Sequence, residues 1–180
     1  MELKETPLNG CFIITLAPHM DQRGAFVRSF GTDAFLAAGL STAIDHTAEA
    51  SNPQRLTLRG MHYQANPFPD PKLVRCTKGA AFDVAVDVRR DSVTYGQWFG
   101  DVLEEDNHKA LYLPAGFAHG YLTLRENTTL SYHLFAPYRS ELQRGFRYDD
   151  PTIAIEWPFQ PVLVGERDLA LPLLDKGLRS

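Results

Sequence analysis

A chain of 180 residues, 44% of them hydrophobic and with a formal charge of −4, can bury one substantial core and is read as a single domain. No apolar run approaches a membrane span, and the acidic balance argues against a general nucleic-acid binder while leaving room for one local cationic pocket. Cys11 and Cys76 are too few and too far apart for a disulfide framework or a zinc knuckle, and Glu2, Lys4 and Glu5 begin no signal-peptide pattern, so a reduced, cytoplasmic setting is expected.

In chain order, residues 11–16 are rich in strand formers and stop before Pro18. The turn-like Asp21-Gln22-Arg23 leads into a strand expected over 24–30. One helix follows, with Thr32 as N-cap, residues 34–38 as its body and Gly39 as its stop. Strands are then expected over 56–64, 72–77, 80–88, 97–103, 109–113, 119–124 and 128–135. Phe82, Val84, Val86 and Val88 alternate with Ala81, Asp83, Ala85 and Asp87, the period of a sheet. The Pro-rich 66–71 stretch is a rigid loop, and there is no repeat or low-complexity segment. Many short strands joined by Gly, Pro and Asp turns indicate an all-β fold, a jelly-roll β-barrel with one or a few short helices. After about Pro151 the pattern is less regular, as for a segment that wraps the barrel or a partner subunit.

Ionisable residues are threaded through these strands: Arg59 and His62 in Arg59-Gly60-Met61-His62-Tyr63-Gln64, then Lys72, His119 and later Tyr132. Burying such groups is costly unless they have partners or a task, and a catalytic pocket inside the barrel is one such task. Each also has a plainer reading. His119 can hydrogen-bond within the barrel, Tyr132 between Leu130 and Leu134 reads as a core aromatic, and Asp83 can line a pocket or join a buried ion pair. His46, His108 and His133 read as structural or surface residues.

Pro114-Ala115-Gly116-Phe117-Ala118-His119 has the form Pro-x-Gly-x-x-His and resembles the second motif of the cupin superfamily, whose members are small β-barrels. In metal-dependent cupins that histidine joins an earlier His-x-His and a carboxylate. Here the earlier site reads His62-Tyr63-Gln64 and no glutamate follows at the expected distance, so the metal set is incomplete and none is expected.

The order and length of several motifs resemble the dTDP-4-dehydrorhamnose 3,5-epimerase family. They are Asp21-x-Arg23-Gly24, Leu58 to Gln64, Lys72-Leu73-Val74-Arg75, Phe82 to Asp87, Gly116 to Gly120, Arg144 to Pro151 and Glu166-Arg167-Asp168, together spanning roughly residues 18–168. The resemblance implies a homodimeric cupin without metal or organic cofactor that inverts C3, C5 or both in a nucleotide-diphospho-4-keto-6-deoxyhexose. A 4-ketone acidifies the protons on both neighbouring carbons. Inversion there needs a base on one ring face, an acid on the other and a group to hold charge on the ketone oxygen.

Carried over by motif, His62 is the base, and its ordinary pKa near neutrality suits that task. Asp168 matches its carboxylate partner, Tyr132 the acid, and Lys72 the cation beside the developing enolate. Arg23, Arg59, His119 and Arg167 match residues that grip the substrate, chiefly at its diphosphate. At the nucleotide end the chain departs from the family: Arg28 and Gln143 stand where glutamates are usual, and Thr47-Ala48-Glu49 replaces a Gln-x-Asn segment. Other readings compatible with the sequence are a C3-only epimerase, a sugar ketoisomerase, a non-catalytic nucleotide-sugar-binding cupin and a metal-dependent oxygenase.

One local expectation is geometric. Strict alternation puts Arg59 and His62 on opposite faces of a strand, yet both are needed in one pocket. Gly60 is the natural place for a β-bulge that resets the alternation.

Overall fold

Strands form nearly all the regular structure of the computed structural model, which describes residues 1–174. The chain runs through β1 (Glu2–Glu5), β2 (Phe12–Thr15), β3 (Pro18–Asp21), β4 (Gly24–Val27), α1 (Thr32–Ala37) and β5 (His46–Asn52). It continues as β6 (Thr57–Gln64), β7 (Lys72–Lys78), β8 (Ala80–Asp87), β9 (Trp98–Glu104), β10 (Lys109–Leu113), β11 (Phe117–Thr123) and β12 (Thr128–Leu134). A 3₁₀ turn (Ser140–Leu142), β13 (Gln143–Gly145), β14 (Leu163–Val164) and α2 (Glu166–Leu169) complete it.

These strands build the expected jelly roll. One sheet has the order β1-β2-β10-β7-β12-β5; the other is β13-β6-β11-β8-β9, with β14 joining β6 in parallel. Between them Val74, Cys76, Ala81, Ala85, Leu103, Leu111, Leu113, Phe117 and Leu130 form the interior core. Burying large aliphatic side chains of this kind contributes roughly 1.5–3 kcal/mol each.

The alternation in β8 has two apolar faces because both are covered. Ala81 and Ala85 face the interior, whereas Val84 and Val86 pack outside with Met61, Ala118, Phe146 and Ile153. The irregular segment after Pro151 supplies that cover, with Trp157 edge-on to Phe82 at 6.0 Å. It therefore wraps the barrel of its own chain. Its anchor is the buried carboxylate of Asp150, which accepts the backbone N–H groups of Thr152 and Leu174.

Several expectations shift. Helix α1 starts one residue earlier than read: Gly31 is the N-cap, Thr32 is helical, and no side chain caps the end. Gly39 does end it, at φ +71°. Thr47-Ala48-Glu49, for which no strand is expected from the sequence, lies in strand β5, paired along its whole length with β12. Its mixed Ala, Thr and Glu content hides it, because the partner strand rather than propensity sets it. Residues 18–21 also form a strand, paired with β4 in a hairpin of its own.

The bulge at Gly60 is present. Across the β6–β11 ladder Arg59 faces Tyr121 and His62 faces His119, so Gly60 and Met61 stand opposite the single residue Gly120. Gly60 has φ +123°, and a Cβ there would lie 2.5 Å from the Gly120 Cα and 2.8 Å from the His119 carbonyl oxygen. Only two glycines allow this approach, and the extra residue turns Arg59 and His62 to the same side.

Candidate active site

That side is the wall of a cavity of about 670 Å³ between the two sheets. Strand β6 brings Arg59 and His62 to it, β7 brings Lys72, β11 His119, β12 Tyr132, β13 Gln143, and α2 with its approach Arg167 and Asp168. The remaining two expected residues are elsewhere. Arg23 sits at the tip of the β3–β4 hairpin, exposed and paired with Asp21 at 2.6 Å, and Arg28 lines a separate hollow with Phe26 and Phe30. Within one chain neither reaches the cavity.

His62 Nε2 lies 2.7 Å from Asp168 Oδ1. An ionised carboxylate only accepts, so Nε2 carries the hydrogen, and in the neutral imidazole Nδ1 then has the lone pair. The other oxygen of Asp168 accepts the Gly60 N–H at 3.0 Å, the group that the bulge frees from the ladder. Burial works to raise the Asp168 pKa, but the hydrogen bonds from His62 and Gly60 outweigh it and hold the carboxyl below the usual carboxylate range. The bulge and the dyad are therefore one construction.

Lys72, 7% exposed, pairs with Asp70 at 2.9 Å. An ammonium has three donors, so this pair leaves others for the cavity. Asp70 is in turn fixed by the Gln64 N–H at 3.0 Å. On the facing strand the His119 Nε2 is 2.8 Å from Asp83 Oδ1, which answers the open question about Asp83: it forms a buried pair with His119. The His119 ring also stands edge-on to Tyr132 at 5.9 Å. Burial, first of all, pushes the Tyr132 phenol well above 10; the charges of Tyr121 and Asp83 and a hydrogen bond to Tyr121 add to it, and Arg59 opposes.

The sequence reading missed several residues of the cavity and their partners. Asp70, Asn52 and Tyr121 carry no motif signature, although Asn52 accepts from both Arg59 Nε (3.0 Å) and the Tyr121 hydroxyl (3.2 Å). His46, read as structural or surface, stands at the cavity wall, as does the exposed Tyr138. His133 is away from it, on the outer side of β12, with its pKa lowered by burial. Gln64, which occupies the second histidine position of a metal-binding cupin, is committed to the loops: its amide nitrogen donates to the Phe68 and Pro137 carbonyls and its oxygen accepts from Arg139 and Gln143. Among the described residues no group of three or more His, Cys, Asp or Glu side chains converges as a metal site.

The sequence profile of the family described as dTDP-4-dehydrorhamnose 3,5-epimerase matches residues 5–176. The chain belongs to that family. It is accordingly an isomerase of the epimerase class. A dTDP-4-dehydrorhamnose 3,5-epimerase of Sinorhizobium fredii is 44% identical over 155 residues, covering 86% of this chain and 80% of the relative. Among solved structures, a dTDP-4-dehydrorhamnose 3,5-epimerase of Bacillus anthracis with TDP and pyrophosphate bound superposes with a TM-score of 0.93 at 33% identity, covering 96% of this chain and 99% of the other. A 3′-monoepimerase of Streptomyces bikiniensis in complex with dTDP-quinovose superposes with a TM-score of 0.86 at 30% identity, covering 93% and 85%. No helix among the described residues is long and apolar enough to cross a membrane.

Proposed function

We propose that this family member inverts C3 and C5 of a nucleoside-diphospho-4-keto-6-deoxyhexose, taking a proton from one ring face and returning one to the other. The observation that carries this reading is the His62–Asp168 hydrogen bond through Nε2 at 2.7 Å, which leaves Nδ1 free as a base in a cavity shared with Tyr132. His62 Nδ1 removes the proton beside the ketone, and Asp168 stabilises the imidazolium that results. Lys72 sits where an ammonium can hold the enolate oxygen, a contribution worth about a hundredfold or more in rate. Tyr132 delivers the proton to the opposite face.

Arg59, His119, Gln143 and Arg167 are assigned to the substrate's diphosphate and nucleoside end, since guanidinium groups suit phosphate oxygens. No metal or organic cofactor takes part, because the charge that builds on the ketone oxygen is met by Lys72. Incubation with thymidine-diphospho-4-keto-6-deoxyglucose in heavy water tests the reading. Deuterium at both C3 and C5 of an inverted product is expected, and product without deuterium at either carbon would overturn it. Deuterium at C3 alone would place the chain with 3′-monoepimerases, a second reading favoured by the likeness to the Streptomyces bikiniensis enzyme.

The enzyme is further proposed to fold as one domain and to act as a cytoplasmic homodimer. Met20 and Phe26 are each 70% exposed on the β3–β4 hairpin that also carries Arg23, and Arg28 follows it directly. A hairpin with that much apolar surface calls for a cover, and a second copy would supply it while offering Arg23 and Arg28 to a neighbouring cavity. Cys11 and Cys76 are free and buried, which suits a reducing compartment. Sedimentation gives the oligomeric state. Recovery of activity on mixing inactive His62→Ala and Arg23→Ala chains would support a shared site; a monomer would refute it.

A further inference from the structure

Lys72 and Asp70 both line the cavity, and Lys72 Nζ lies 2.9 Å from Asp70 Oδ2. Among the described residues Asp70 is the one carboxylate that pairs with this ammonium. Lys72 has lost most of its water, so a counter-charge of good geometry has to meet it. A lysine stem is also long and flexible, and without an anchor its charge would wander over several rotamers.

Asp70 is itself held firmly. It stands between Pro69 and Pro71; a proline ring fixes its own φ, and a residue before proline is confined to extended backbone. Its Oδ1 accepts the Gln64 N–H at 3.0 Å, which leaves Oδ2 for Lys72. The Gln64 amide nitrogen donates to the Phe68 carbonyl and, at 3.0 Å, to the Pro137 carbonyl, while the Pro71 carbonyl accepts the Phe135 N–H at 3.0 Å. The 66–71 loop is thereby tied to β6 at its start and to the end of β12. Gln64 is two residues beyond His62 on the same strand, and Lys72 opens β7. A short path from His62 through Gln64 and Asp70 to Lys72 therefore sets the distance between base and cation.

We propose that Asp70 is a positioning residue for the cation that meets the enolate: it supplies the counter-charge of Lys72, takes one of its three N–H groups and so aims the others at the ketone oxygen. When His62 removes the proton, the C–H pair becomes the enolate double bond and the C=O pair moves onto oxygen. The ammonium is then already in place, and the developing charge is met without reorganisation. Asp70 exchanges no proton with the sugar. The inference rests on the proposed role of Lys72.

The test is Asp70→Asn, which keeps the size of the side chain and an oxygen for the Gln64 N–H but removes the counter-charge. Product formation and solvent deuterium exchange are measured on the same samples with thymidine-diphospho-4-keto-6-deoxyglucose, and thymidine diphosphate binding is the control for an intact site. A fall in kcat of about tenfold or more is expected, shared equally by exchange and product because both pass through the enolate. KM and thymidine diphosphate affinity should stay within about twofold of wild type. Asp70→Glu, which keeps the charge on a longer stem, should recover part of the loss. Asp70→Ser is the second variant, in case the amide disturbs the loop, and should lose the same factor as Asp70→Asn. An unchanged kcat overturns the inference, as does a loss confined to KM or to nucleotide affinity, or a glutamate variant no faster than the asparagine one. A double-mutant cycle separates positioning from packing: in a Lys72→Gln background, Asp70→Asn should have no further effect, and an independent loss there would refute action through Lys72. If Lys72→Gln keeps the wild-type rate, the enolate assignment of Lys72 fails. If it lowers the rate and Asp70→Asn does not, only the present inference fails.

Discussion

His62 and His119 face each other directly across the β6–β11 ladder, and each is held by a different carboxylate: Asp168 at 2.7 Å for His62 and Asp83 at 2.8 Å for His119. The two dyads differ in access. The His62 side chain is 37% exposed and its Asp168 comes from a short C-terminal helix, whereas His119 and Asp83 are both interior. Both line the cavity, but His62 is the more open to it and His119 is held tightly in its wall beside Tyr132.

The proposed division of labour between the two ring faces makes a first prediction. His62→Ala should abolish both solvent exchange and epimerised product, because no base remains. Tyr132→Phe should lose far more product than exchange, since abstraction and return on the His62 face continue. Mass spectrometry of recovered substrate and product in heavy water checks both, and equal losses in Tyr132→Phe would mean that the tyrosine only packs.

Asp168 has a pH signature. Its carboxyl is held below the ordinary value of about 3.9, so the stabilisation it contributes is complete above that pH and fades as the pH falls through the lower native value. Asp168→Asn should cost about 1–3 kcal/mol near pH 7, and its deficit against wild type should shrink as the pH drops below about 4. Activity should fall about a hundredfold or more, because the amide no longer favours the imidazolium. Chemical denaturation across pH, with parallel rate measurements, separates the two effects.

The bulge is open to a direct test. Gly60→Ala places a Cβ 2.5 Å from the Gly120 Cα at a φ of +123° that L side chains avoid. A loss of about 3 kcal/mol or more is expected, together with loss of activity, since Arg59, His62 and the Asp168 anchor all depend on this backbone. A variant of wild-type stability and rate would show that β6 tolerates a regular path there.

Metal independence is the outcome that the donor set leads us to expect. With Gln64 tied to two loops and Lys72 supplying positive charge, prolonged treatment with a strong chelator should leave the rate unchanged. A large loss restored by one divalent ion would refute the metal-free mechanism.

Arg28, by way of a second copy, and Gln143 are expected to bear on nucleotide selectivity. A guanidinium cannot accept hydrogen bonds from a base imide or a ribose hydroxyl as a glutamate can, and Gln143 donates its amide to Gln64 at 3.1 Å. Firmer dependence on the diphosphate with relaxed base selectivity is expected. Binding of thymidine, uridine, cytidine and guanosine diphosphates across a range of salt measures it. Strong thymidine preference that Arg28→Glu leaves unaltered in degree and salt dependence would mark the substitution as incidental.

The amino-acid sequence by itself determined the strand-rich fold, the bulge at Gly60 and most of the ionisable residues that the cavity brings together. Period-two patterning, turn residues and contiguous motifs are local signals, and a strand that must keep Arg59 and His62 in one pocket has few ways to do so. The Asp168–His62 pairing was expected from the family resemblance alone, and the tertiary structure decided that Asp83 serves His119 and Asp70 serves Lys72. Asp168 reaches His62 over 106 residues, Asp83 reaches His119 over 36, and Asn52 meets Tyr121 over 69. Strand β5 likewise became a strand because β12 lies beside it. It was also the tertiary structure that set Arg23 and Arg28 on a hairpin outside the cavity of their own chain. Pairings of this kind depend on how sheets close on one another, and no short-range pattern of polarity carries that information.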